Sequence, residues 1–143
     1  MIIAIDFDGT CVTHNYPGIG ENIGAEYVLK ALTEEGHILV LNTMRSGKKL
    51  KDAEDWFKEH KIPLYGINKT YGQENWTTSP KVYANLYIDD SALGCPLNPH
   101  RQFVDWIAVS EFLVNNGILS SDRFEKIKPS IIEEIKIVNK MKW

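Results

Sequence analysis

Two aspartates one residue apart, Asp6 and Asp8, end the apolar run Ile2-Ile3-Ala4-Ile5 and lead into Gly9 and Thr10. A second acidic pair, Asp89 and Asp90, ends the later run "VYANLYIDD". Between the two pairs stand Thr43, closing "HILVLNT", and Lys81, in "SPK". Carboxylates crowded in this way repel, and each costs desolvation near a core edge. They call for a cation or a reaction. Four carboxylates in one crevice make a hard, oxygen-rich site suited to Mg2+, whose charge would relieve the repulsion. Asp6, at a strand tip, could then attack phosphorus in line and form an aspartyl-phosphate. Beyond that, phosphoryl transfer needs positioning and charge neutralisation. Thr43 offers a hydroxyl and Lys81 a point charge, while the backbone N–H groups of Asp8, Gly9 and Thr10 form a small anion nest. Asp8 projects to the same side of an extended chain as Asp6, so it can protonate a leaving alkoxide and later deprotonate a water. Arg45, two residues past Thr43, is a candidate for holding a substrate anion, the alternative being a surface ion pair.

Positioning these groups requires strands that end together. The spacing predicts strands over 2–7, 37–43, 64–68 and 82–90, each short, apolar and bounded by turn residues. Helices are expected from Glu21 to Glu35, with Gly36 as a C-terminal stop, from Lys48 to His60, and over 105–117. The charged tail from Ser121 to Trp143 carries Ile131, Ile132, Ile135, Val138 and Met141 at helical spacing, which reads as a helix packed on the domain or, alternatively, as a subunit contact. Alternating strands and helices imply an α/β fold in three layers, a parallel sheet with helices on both faces. Ligands bind beyond the carboxyl ends of such strands. Asp6, Asp8, Thr43, Asp89 and Asp90 would therefore converge on one edge.

The bulk numbers narrow the partners. The chain of 143 residues suits one domain, and a net charge of -3 argues against a polynucleotide-binding surface. No run approaches membrane-spanning length, and the two cysteines, Cys11 and Cys95, form no CxxC pair and suit a reducing compartment. A cytoplasmic location is expected, with no membrane partner.

"DFDGT", the threonine in "LVLNTMR", the lysine in "SPKVYANLYIDD" and that final "DD" resemble, in order, the four motifs of the haloacid dehalogenase-like (HAD) hydrolases. The resemblance covers about residues 1 to 95 of a single catalytic domain over 1–143, with C-terminal helices in 105–143. It implies a Rossmann-like fold and a Mg2+-dependent phosphatase. In it Asp6 is the nucleophile, and Asp8 is the general acid/base with its backbone carbonyl on the metal. Thr43 holds phosphoryl oxygens, Lys81 stabilises nucleophile and phosphate, and Asp89 is the favoured acidic metal ligand, with Asp90 either on the metal beside it or behind it. An aspartate at position 8 points within the family to phosphoryl transfer rather than dehalogenation. The intervals between motifs leave no room for the cap domain that many members carry. An open site implies a large substrate or cover from a second subunit, with "HNYPGIGENIG" as the one built-in gate and His14, Asn15 and Tyr16 on it near a leaving group. Phosphoproteins, nucleic-acid ends and sugar phosphates all remain open as substrates, as does transfer to an acceptor other than water.

Other readings fit less well. A calcium loop beginning at Asp6 would need glycine and glutamate where Cys11 and Pro17 stand. A phospho-accepting receiver domain places its lysine after a late strand, whereas Lys81 precedes the fourth. An idle, phosphate-binding member of the same family stays as the alternative to an enzyme. Trp56 and Trp106 read as core, and Trp76, in a polar loop, as a contact residue.

Overall fold

The computed structural model describes residues 1–141. Residues 142 and 143, the end of the tail expected to be helical, lie outside the described residues. The order of elements is β1 (Ile2–Ile5), α1 (Ala25–Glu34), β2 (Ile38–Leu41), α2 (Gly47–Glu59), β3 (Gly66–Ile67), β4 (Leu86–Ile88), α3 (Trp106–Asn115) and α4 (Ser121–Lys140), with a 3-10 turn at Gln73–Asn75. The four strands form one sheet in the order β3-β2-β1-β4, and every pair is parallel. The fold is α/β and Rossmann-like, a parallel sheet flanked by four helices, as expected.

Side-chain alternation divides the sheet into two unequal faces. Ile3 and Ile5 of β1 and Leu39 and Leu41 of β2 join the main core, with Val28 of α1, Phe57 of α2, Trp106 of α3 and Ile131 of α4. Ala4 and Val40 point the other way and meet Val82. The chain steps from β1 to β2 to β3 in one direction, then reverses to reach β4 at the far edge. Right-handed crossovers put α1 and α2 on one side and send the 68–85 connection across the other. That connection is irregular, held by Thr70 Oγ1 donating to the Tyr83 carbonyl and by Gln73 Nε2 donating to the Lys81 carbonyl at 2.7 Å. Residues 82–85 are therefore a covering segment and not the start of a strand. Asn85 docks it at the foot of β1, accepting from the Ile2 N–H at 2.7 Å.

Helix α1 starts at Ala25 rather than Glu21 because Gly24 takes a left-handed φ of 94° that breaks the helical path. The last helix packs on its own domain, against α1 and α3, with Ile131 and Val138 buried. Among the described residues no helix is long and apolar enough to cross a membrane.

Candidate active site at the carboxyl edge of the sheet

Each strand tip delivers one part of the site. Asp6 leaves β1 on the face of Ala4, because its neighbours Ile5 and Phe7 both belong to the opposite core. Its N–H donates to the Ile88 carbonyl at 3.0 Å, tying it to the end of β4, where Asp89 and Asp90 follow. One carboxylate oxygen from each of Asp6, Asp89 and Asp90 lies within 4.8 Å of the others, the spacing of a metal-binding cluster. The Thr10 hydroxyl joins two of them. It donates to Asp6 Oδ2 at 2.7 Å and accepts from the Asp90 N–H at 3.0 Å, with Asp90 Oδ1 at 3.2 Å. Thr10 is wholly buried, its carbonyl anchored by the Trp106 indole N–H at 2.7 Å.

Burial is the largest cause, and together with the carboxylates of Asp90 and Asp89 it pushes the Asp6 carboxyl up to about 8 from an ordinary 3.8, against the pull of Thr10. A carboxyl held that high is one a cation would strongly favour in its charged form. All-oxygen donors of this kind suit a hard divalent cation.

Thr43 follows β2 at the same edge. Its N–H donates to Asn68 Oδ1 at 2.8 Å and its hydroxyl oxygen accepts from the Arg45 N–H at 3.1 Å, so the hydroxyl proton stays available. Lys81 adjoins Val82 on the face toward which Asp6 projects. Its ammonium lies 5.8 Å from the Tyr87 ring centre and forms no ion pair among the described residues. The structure thus brings Asp6, Asp89, Asp90 and Thr43 to one edge, with Lys81 on the matching face but out of contact.

Three expectations need correction. The Asp8 carboxylate does not join the acidic cluster: Arg45 holds both its oxygens, from Nε to Oδ2 at 2.8 Å and from Nη2 to Oδ1 at 2.7 Å. Arg45 in turn cannot hold a substrate anion. Its side chain is 1% exposed, and its remaining N–H groups donate to the carbonyls of Gly18, Pro17 and Lys49. The nest is also smaller than expected, because the Gly9 N–H donates to the Val12 carbonyl at 2.8 Å and the Thr10 N–H to Phe7 at 3.1 Å. Those two residues brace the site rather than bind substrate.

Several residues also make contacts that residue type alone does not announce. His14 Nε2 lies 2.9 Å from Asp90 Oδ2, with the imidazole over Gly9. Gly9 has φ 79°, and a Cβ there would sit 2.6 Å from Asp90 Oδ2 and 2.2 Å from His14 Nε2. Only glycine lets the loop pass. Trp106, expected only as core, also braces Thr10. Lys69 follows Asn68 beyond β3 and pairs loosely with Glu74 at 3.8 Å. The loop expected to be a gate is a pinned hairpin, with the Thr13 N–H donating to the Glu21 carbonyl at 3.0 Å and the Glu21 N–H to Thr13 Oγ1 at 2.9 Å.

No protein-family model and no curated protein matches the chain. Among solved structures it is similar to a conserved protein coded by a locus of Bacteroides thetaiotaomicron. The two share 39% identity over 81% of this chain and 91% of that one, with a TM-score of 0.70. The chain belongs to that conserved protein's family. The α/β frame described above is the family's frame.

Proposed function

We propose that this protein is a phosphatase of the HAD-like type, hydrolysing a phosphate monoester through an aspartyl-phosphate on Asp6. The observation that carries the reading is the meeting of Asp6, Asp89 and Asp90 at the tips of two neighbouring parallel strands, with Asp6 raised by burial among them. Asp6, Asp89 and Asp90, with the Asp8 backbone carbonyl, would hold Mg2+, which would neutralise the carboxylates and the charge of the phosphoryl group. Asp6 attacks phosphorus as the bond to the leaving oxygen breaks. The Thr43 hydroxyl and the Lys81 ammonium bind the equatorial oxygens. The protonated form of Asp8 gives its proton to the leaving oxygen, and the resulting carboxylate takes one from the water that frees Asp6. The partly buried acids, which still reach the surface, and the absence of a helical cap among the described residues fit a substrate that protrudes from the site, whether small or macromolecular. The two free cysteines fit a reducing, cytoplasmic location.

A second reading rests on the Arg45 clamp. A carboxylate held at both oxygens by a buried guanidinium is a poor proton carrier, which favours a module that accepts or binds phosphoryl groups without turnover. One experiment separates the two: phosphate release from an aryl phosphate and a metabolite panel, with and without Mg2+, for the wild type and Asp6→Asn. Mg2+-dependent, multiple-turnover release that disappears in the variant supports the phosphatase. Loss of no more than one aryl phosphate per chain, with the phosphoryl group kept on the protein, supports the accepting module, and activity surviving in Asp6→Asn rejects both.

A further inference from the structure

We propose that Arg45 is the positioning residue of this site, joining the Asp8 carboxylate and the 13–20 loop into one rigid unit so that the loop is a fixed wall rather than a gate. The catalytic part of this inference rests on the phosphatase reading; the mechanical part does not.

A guanidinium carries five N–H donors in a planar fork. In Arg45 all five are occupied. Two take the two oxygens of Asp8, at 2.8 and 2.7 Å. Two reach the loop, at the carbonyls of Gly18 (2.6 Å) and Pro17 (3.2 Å). The fifth takes the Lys49 carbonyl in the first turn of α2, at 3.1 Å. The plane is also flanked by rings, with its central carbon 5.1 Å from the centre of Phe7 and 5.3 Å from that of Tyr16. Tyr16 is fastened a second time, its hydroxyl 3.2 Å from the Lys49 ammonium. Phe7 lies between the two aspartates in sequence, and Tyr16 lies on the loop. The clamp therefore ties the carboxylate, the loop and the start of α2 through one side chain.

A buried cation with every donor satisfied cannot swing out without leaving Asp8 and three carbonyls unpaired together. Displacing Arg45 therefore frees the loop and the Asp8 carboxylate together. Lysine cannot replace this arrangement, since its ammonium offers three tetrahedral donors and no fork.

The test is a double-mutant cycle of Arg45→Lys and Asp8→Asn, read in two ways. The first reading is steady-state kinetics on an aryl phosphate with Mg2+. Arg45→Lys lowers kcat by about 30-fold or more while KM stays within about threefold, as expected when a catalytic group is misplaced and substrate binding is left intact. In the Asp8→Asn background the same change has no further effect on kcat. The second reading is hydrogen exchange at the Thr13, Gly18 and Glu21 amides, which are bonded within the loop. Exchange there rises by about tenfold or more in both single variants. Independent, multiplying effects on kcat, a rise in KM alone, or unchanged loop exchange each overturn the proposal. Should Arg45→Lys fail to fold, Asp8→Asn and Tyr16→Ala carry the exchange test with the same expected direction. Should the wild type release no phosphate, the phosphatase reading fails and loop exchange alone decides the clamp.

Discussion

Asp6 and Asp90 follow different strands yet share one hydroxyl: Thr10 donates to the first at 2.7 Å and accepts from the N–H of the second at 3.0 Å. This bracket fixes the distance between two acids that would otherwise repel. Thr10→Val keeps the shape and removes the bracket. The buried partners left unpaired are expected to cost about 1–3 kcal/mol of stability, seen in urea unfolding. Mg2+ affinity by calorimetry is expected to weaken about tenfold, as when a ligand's supporting group is removed. Thr10→Ser should recover most of both.

Gly9 is the point where the loop, His14 and Asp90 come closest. Gly9→Ala places a methyl 2.6 Å from Asp90 Oδ2 at a backbone φ of 79°. The left-handed conformation alone costs about 1–2 kcal/mol. The variant is expected to melt lower and to bind Mg2+ more weakly, because Asp90 must shift. Wild-type behaviour in both assays would show that the close approach is dispensable.

Lys81, the cation expected to meet the phosphate, has its ammonium 5.8 Å from the Tyr87 ring centre and forms no ion pair among the described residues. Lys81→Met keeps the stem over Tyr87 and removes the charge. The expectation is an unchanged melting temperature and a fall in kcat/KM of about 100-fold, the scale of losing one preorganised stabiliser of developing charge. Unchanged kcat/KM would exclude Lys81 and make Lys69, beyond β3, the cation to test.

Stability should depend on pH through a carboxyl pair that takes no part in the proposed chemistry. Glu134 Oε2 accepts from the Gly24 N–H at 2.7 Å, beside Glu26, whose Oε2 is buried and unpartnered among the described residues. Burial first, then the hydrogen bond and charge of Glu26, push the Glu134 carboxyl up to about 8 from 4.5. Between these values the folded chain holds a proton that the unfolded chain has released. Stability therefore falls as pH rises through the window and levels off above it. Glu134→Gln removes this slope. Screening of a half-buried group limits the gain, so the variant is expected to melt about 2–4 °C above the wild type near pH 9. Near pH 5 the two should melt closer together. A constant difference across pH in thermal melts would contradict the assignment.

Much of the frame is legible in residue order alone. The apolar runs before Asp6, Thr43 and Asp89 set three strands, and their parallel pairing brings those residues to one edge. What could not be read was where long or polar side chains go once the edge forms. The spacing of Thr43 and Arg45 does not say that Arg45 folds inward onto Asp8, which is a property of the loop lying over it. Nor does "VYANLYIDD" distinguish a strand from a covering segment, because Val82 is as apolar as Ile88. The reversal of strand order after β3 decides that, and it is a tertiary fact. Thr10 reads as part of a glycine turn, and only the packing of Trp106 behind it makes it a bracket.

The aspartyl-phosphate is tested most directly by acid-quenching the protein during incubation with an aryl phosphate and Mg2+ and mapping the modified peptide by mass spectrometry. The account predicts a phosphoryl group on Asp6, absent from Asp6→Asn. Phosphate release with no phosphoryl group on Asp6, or with one on another residue, would contradict it.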